Sequence, residues 1–342
     1  MPQTHLFTAH IRDLEKAGAW LREGKLVSFP TETVYGLGGS GLLPEAIENI
    51  YKAKGRPRNN PLILHFPNLE AAFKEADPNA PLFPLAKKIA KIFWPGPLTL
   101  ILRRASHSKL CNESCAGLPT FAARVPEPLS TRQILEFAGV PIAAPSANKS
   151  GRISPSSYQD VLAELDGRID GIVAGQSCSV GIESTILDFS QEIPKILRPG
   201  KIMTNDLRPF IPNLPHYALK THMAHPDETS QPPPIAPGQF LSHYAPTLPV
   251  KLEVSIPNPE EAWLSFKPAP DSFKGLSFAL SPSGDLAEAA TRLYKGLRFL
   301  DLEGQKQGLK SIAVAPIPQE GIGIAILERL FRAAAPRPSQ QS

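Results

Sequence analysis

The chain reads as a mixed α/β protein with a larger first unit and a smaller second one, and three observations predict this. From Leu6 to Gly200, amphipathic helical stretches alternate with short β-rich runs, and proline or glycine stands at nearly every junction. Between Pro209 and Pro249 that alternation stops: prolines crowd in, three of them consecutive at Pro232, Pro233 and Pro234, and apolar periodicity is absent. After Pro249 the alternation resumes in the order expected of a small parallel sheet. With 342 residues, 42% of them hydrophobic, the chain can bury a substantial core and divide into two domains.

Taken in order, helices are predicted at 11–23, where Ile11, Leu14 and Leu21 share a face, and at 44–53, which has Pro44 in its first turn and Gly55 past its end. Further helices are predicted at 82–93, 129–138 and 156–165. Strands are predicted at 26–29, 61–66, 98–102, 120–125, 141–144, 171–174 and 185–189. Beyond the Pro-rich segment, strands at 250–254, 276–280 and 311–315 alternate with helices at 285–300 and 323–334. The stretch 257–274, with Pro257, Pro259, Pro268 and Pro270, leaves little room for a full helix, so the second unit reads as abbreviated. The expected organisation is residues 1–205 as the first domain, 206–247 as a linker or lid, 248–336 as the small α/β domain and 337–342 as a frayed tail.

Composition narrows the function classes. No run of 18 apolar residues offers a membrane span, and the N-terminus lacks a signal-like pattern, so the cytoplasm is the expected compartment. Cys111, Cys115 and Cys178 cannot form a disulfide framework, and the Cys111/Cys115 pair has only His107 nearby as a third ligand, so no resident metal is expected. The net charge of +4 is spread along the chain and does not advertise nucleic acid, although a local patch remains compatible with it.

That local patch exists. Lys52, Lys54, Arg56 and Arg58 crowd the end of the helix at 44–53. The macrodipole accounts for lysines at a helix C-terminus, but Arg56 and Arg58 lie beyond Gly55 and Pro57, which makes them the better candidates for gripping phosphate. Two short motifs are decoys. The Gly36-to-Gly41 run spells a dinucleotide fingerprint but lacks the acidic residue about twenty positions on, and Ser146-Ala147-Asn148-Lys149 spells Ser-x-x-Lys without its Lys-Thr-Gly and Ser-Asp-Asn partners. What remains is a set of polar residues expected on turns leaving strands: Thr31, Thr33, Lys54, Arg56, His65, Arg124, Ser146, Asn148, Ser184 and Arg198.

These residues fall in recognisable phrases. The segments from Phe29 to Gly38, Lys54-x-Arg56-Pro57, Asn60-Pro61-Leu62, Trp94 to Thr99, Ala143 to Asn148, Glu183-Ser184-Thr185 and Leu197 to Gly200 closely resemble the YrdC family, in order, across residues 8–205. Ala236-Pro237-Gly238, His243-Tyr244-Ala245-Pro246 and the following α/β unit resemble the longer, two-domain members. The resemblance implies a twisted mixed sheet flanked by helices, plus a Rossmann-like C-terminal domain. It implies an ATP-using nucleotidyltransferase that converts L-threonine, bicarbonate and ATP to threonylcarbamoyl-AMP and pyrophosphate, with the product passing to the machinery that modifies tRNA. By the same resemblance Lys54, Arg56, Ser146 and Asn148 are catalytic. Arg56, Asn60, Thr120, Ser146, Ser154, Arg198, His243 and Tyr244 hold ATP, with Mg²⁺ bridging its phosphates. Thr31, Thr33, His65, Arg124, Ala144 and Ser184 hold threonine, and a guanidinium such as Arg124 can take both oxygens of its carboxylate. The linker, lacking lysine or arginine at Gln239-Phe240-Leu241-Ser242, is expected to close over the nucleotide. The competing expectation is a double-stranded RNA-binding module without synthase activity. Carbamoyl transfer for hydrogenase maturation is disfavoured, because those proteins carry cysteine-rich zinc modules absent here.

Overall fold

A computed structural model describes residues 3–219, 236 and 243–336. The expected lid residues 220–235 and 237–242, and the tail 337–342, lie outside these.

The first domain is built on one ten-stranded mixed sheet. In chain order its strands are β1 (His5–Phe7), β2 (Val27–Phe29), β3 (Gly36–Ser40), β4 (Ile63–His65), β5 (Leu98–Arg103), β6 (Thr120–Arg124), β7 (Ile142–Ala143), β8 (Gly171–Val173), β9 (Thr185–Asp188) and β10 (Lys195–Arg198). They lie side by side as β1-β8-β2-β3-β7-β4-β6-β5-β9-β10. Helices α1 (Ile11–Arg22) and α5 (Leu129–Ala138) pack together over β1, β2 and β8 through Leu14, Leu21, Ile134 and Leu135. A separate, larger core gathers α2 (Pro44–Lys54), α3 (Leu69–Lys74), α4 (Phe83–Phe93) and α6 (Tyr158–Leu165) around Leu64, Leu100, Phe121 and Leu187. Strand periodicity then decides the site. Leu64, Phe121 and Ala123 point into this core, so Ile63, His65, Ala122 and Arg124 face the other way. That other face is where Ala236, a residue of the expected lid, is buried against Ile63, Ile101, Ala122 and Ile186.

After α7 (Thr204–Leu207), the second domain forms a four-stranded, all-parallel sheet ordered β11-β14-β12-β13. Its strands are β11 (Val250–Lys251), β12 (Glu261–Ser265), β13 (Ser277–Ala279) and β14 (Ser311–Val314), covered by α8 (Leu286–Lys306) and α9 (Gly323–Ala334). Its core does not stop at the domain edge: Val34, Ile153, Val180 and Ile182 of the first domain join the same apolar cluster as Leu293, Leu297 and Ile326.

The structure adds to the sequence reading in several places. The glycine run, set aside as a dinucleotide fingerprint, is strand β3, which was not predicted, and its glycines answer to packing: a Cβ on Gly38 would lie 2.6 Å from the Phe29 ring and 2.9 Å from Leu21. The stretch 257–274 of the second domain holds no helix, as expected, but it contains β12, an inner strand of the sheet that was not predicted. Strands β1 and β10 and the short helices α3 and α7 were not anticipated.

Candidate active site

A cavity of about 50 Å³ opens on the free face of the sheet. The turn after β2 brings Thr31, Thr33 and Val34, and β3 begins there with Gly36. The segment after α2 brings Arg56. Strands β4 and β6 bring His65 and Arg124, directly paired across the parallel ladder. Ala144, Pro145 and Ser146 follow β7, Glu183 precedes β9, Arg198 ends β10, and His243 and Tyr244 close the far side. His65 and Arg124, grouped with residues on turns although the predicted strands 61–66 and 120–125 contain them, are the last residues of β4 and β6 and project from the sheet face.

Ten residues predicted from sequence therefore line the cavity: Thr31, Thr33, Arg56, His65, Arg124, Ala144, Ser146, Arg198, His243 and Tyr244. Lys54, Asn60, Thr120, Asn148, Ser154 and Ser184 are not among its lining residues. Lys54 is the clearest change of role. Its Nζ donates to the carbonyl of Ser146 at 2.6 Å and to that of Asn148, so it braces the loop that presents Ser146. Burial pushes its pKa well below the usual lysine range, and the neighbouring Arg56 charge adds to this. Asn148 donates from Nδ2 to the carbonyls of Lys149 and Arg152, and Ser154 donates to Glu183 Oε1 at 2.6 Å. Ser184 shares a hydrogen bond with Thr99 at 2.7 Å. Asn60 holds Arg56 through its carbonyl. Thr120 sits at the opposite end of β6 from Arg124, opposite Arg103. Arg58, singled out with Arg56, is exposed and pairs with Glu48 at 2.6 Å, away from the cavity.

Charge at the site is strongly positive and buried. Arg56, Arg124 and Arg198 are 8%, 4% and 5% exposed. Arg56 reaches the carbonyl of Pro61 at 3.0 Å, and burial lowers its pKa to about 10, with Arg198 contributing through like-charge repulsion. Arg198 donates to the carbonyl of Ser184 at 3.0 Å and to its Oγ at 3.2 Å. Arg124 Nη2 forms an ion pair with Glu32 Oε1 at 2.8 Å, and neither its Nε nor its Nη2 makes a hydrogen bond among the described residues. A buried guanidinium with free donors is equipped to take a ligand carboxylate.

His65 is the reverse case. Burial drives its pKa down to about 3 and the Arg124 charge assists, so the ring is neutral at physiological pH. With Nδ1 at 3.1 Å from the Ile63 carbonyl, the proton is assigned to Nδ1 and the other nitrogen is an acceptor. His243 is likewise held to about 3, by burial first and then by Arg56 and Lys54 against the pull of Glu183; its Nδ1 has no partner among the described residues.

Two carboxylates, Glu32 and Glu183, stand inside the recognisable phrases but were not among the expected site residues. Glu32 sets the electrostatic partner of Arg124. Burial alone would raise the carboxyl of Glu183, but Arg329 and Arg198, with the hydroxyls of Ser154 and Tyr294, overcome it and hold the group near 2. The available signal was an acid embedded in apolar surroundings, which needs a buried counter-charge. No group of three or more His, Cys, Asp or Glu among the described residues could hold a metal ion, and no described helix is long and apolar enough to cross a membrane.

Comparison with known proteins agrees with this geometry. Residues 19–200 match the family model described as "Telomere recombination", and residues 202–335 match "Threonylcarbamoyl-AMP synthase, C-terminal domain". The threonylcarbamoyl-AMP synthase of Bacillus subtilis is 36% identical over 338 residues, covering 95% of this chain and 93% of its own, and that of Pyrococcus abyssi is 35% identical over 94% of each. The crystal structure of P. abyssi Sua5 complexed with L-threonine superposes with a TM-score of 0.84 at 31% identity, covering 97% of this chain and 98% of that one. With both family models matched in sequence and full-length relatives on either side of the bacterial and archaeal divide, the chain belongs to the threonylcarbamoyl-AMP synthase family in its two-domain form.

Proposed function

We infer that this chain joins L-threonine, bicarbonate and ATP into threonylcarbamoyl-AMP with release of pyrophosphate, in the cytoplasm, for transfer onto tRNA by a downstream enzyme. The observation that carries the reading is the convergence of three buried guanidiniums, Arg56, Arg124 and Arg198, on one cavity closed by His243 and Tyr244. Arg124 is suited to the threonine carboxylate. His65, neutral and beside it, offers an acceptor without adding positive charge, and the Thr31 to Thr33 turn and Ala144 complete that end.

The amine of threonine attacks the bicarbonate carbon with loss of water. The resulting carbamate is an anion, so an oxygen of it attacks the α-phosphorus without a strong protein base, and the bond to the pyrophosphate leaving group breaks. The demand on the protein is positioning and neutralisation. Arg56 and Arg198 are placed for the triphosphate, while Lys54 acts through the loop bearing Ser146. The carboxylates nearest the cavity are already engaged with Arg124 and Arg329, so we propose that Mg²⁺ enters with the nucleotide, ligated by phosphate oxygens and water; bound there, it would neutralise phosphate charge.

A pocket for a molecule of this size runs to about 300 Å³ or more, so the walls of a cavity of about 50 Å³, His243 and Tyr244 among them, must move apart to admit ATP. The duplex-RNA alternative lacks support, because cations this deeply buried cannot reach the phosphates of a rigid duplex. The test is pyrophosphate release from ATP, which should require both threonine and bicarbonate and be abolished in Arg56→Ala. Release that ignores threonine would sink the reading.

A further inference from the structure

Arg329 heads the fully buried side chains by size, and it lies on α9, outside the domain that carries the cavity. Every arm of its fork is used across the domain boundary. Nε donates to Glu183 Oε2 at 3.0 Å, Nη2 to the Glu183 carbonyl at 3.3 Å, and Nη1 to the Pro199 carbonyl and to Glu328 Oε2, both at 2.8 Å. Glu183 is the residue before Ser184, and Pro199 is the residue after Arg198. Those inner two residues are themselves joined by the hydrogen bonds of Arg198 to Ser184. One guanidinium of the second domain therefore pins both chain segments that fix Arg198 in the cavity.

The same cluster holds the cap. Tyr294 on α8 donates to Glu183 Oε2 at 2.8 Å and stacks on Tyr244 with centroids 5.7 Å apart, while the Arg329 guanidinium lies 5.7 Å from the Tyr244 ring. The amide of His243 donates to the Arg332 carbonyl at 3.2 Å. A buried ion pair adds little net stability over apolar packing, so these directed bonds are better explained by the geometry they impose.

We propose that Arg329 and Tyr294 are positioning residues of the nucleotide site, acting through Glu183 to set Arg198 and to seat Tyr244. The second domain is then a working part of the site rather than an appendage. This rests on the cavity being the ATP site.

Tyr294→Phe removes one O–H donor and keeps the stacked ring; Arg329→Met keeps most of the stem; Glu183→Gln removes the shared charge. KM for ATP, KM for threonine and kcat would be measured by pyrophosphate release, with thermal unfolding as the control for folding. Arg329→Met should raise the ATP KM by about tenfold or more and Tyr294→Phe by about threefold, with the threonine KM little changed. The Glu183→Gln/Arg329→Met double variant should be no worse than the poorer single variant, because the two residues act as one unit. An unchanged ATP KM in folded Tyr294→Phe, or single losses that multiply in the double variant, overturns the proposal. Should Arg329→Met not fold, Tyr294→Phe decides alone. A wild-type chain without threonine-dependent pyrophosphate release removes the underlying functional reading instead.

Discussion

Replacing His65 with glutamine should flatten part of the protein's acid sensitivity, by an amount the structure sets. A free histidine titrates near 6.5, whereas His65 is held near 3 by burial and by Arg124. Because the folded value is depressed, the contribution is complete above the unfolded pKa and is lost as pH falls from 6.5 toward 3. At pH 5 the unfolded chain has taken up the proton and the folded chain has not. The resulting loss, relative to pH 8, is about 2 kcal/mol, and at that pH it is insensitive to the exact folded value. It is a sizeable share of a total stability of roughly 5 to 15 kcal/mol. Glutamine offers a donor for the Ile63 carbonyl but does not titrate. Urea unfolding of wild type and His65→Gln at pH 8, 7, 6 and 5, followed by circular dichroism, reads the difference directly, since the other titrating groups are common to both. Wild type should lose about 2 kcal/mol more than the variant over that range. Parallel stability curves, or an NMR titration placing the His65 ring near 6.5 in the native protein, would refute the reasoning.

Two further outcomes follow from the geometry. Arg124→Lys keeps the charge but loses the planar fork, so the KM for threonine should rise by about tenfold while that for ATP holds; steady-state kinetics with each substrate varied checks this, and equal shifts in both would count against Arg124 as the carboxylate receptor. Gly181 has φ of +77° and a Cβ there would come within 2.4 Å of Thr291 Cα on α8, so Gly181→Ala should loosen the docking of the second domain at a cost of about 2 kcal/mol or more. Faster hydrogen exchange along α8 is the expected readout, and unaltered protection there would show the contact to be dispensable.

How far the fold could be read in advance depended on how local its cause was. Helix α2 was legible because its proline start and its left-handed Gly55 end are properties of single residues. Strand β3 was not, because glycine has no strand preference and earns its place only through the approach of Phe29 and Leu21. Strand β12 was hidden by flanking prolines, although its neighbours in the sheet, β13 and β14, supply the partners that stabilise it. For the site, the residue types betrayed an anion-binding cavity, but spacing could not show that Lys54 would spend its ammonium on two carbonyls.

Thus the order of apolar periods, turn residues and cationic phrases along the chain was enough to determine a two-part α/β protein of this family and the majority of its cavity lining, because each of those signals acts over a few residues. The pairing of Glu183 with Arg329, 146 positions apart, was decided only when the chain folded. Which cations face the cavity and which brace its walls was likewise a matter of tertiary packing. Burial makes the difference: a charge removed from water must find its partner wherever the fold brings one, and no local pattern records that distance.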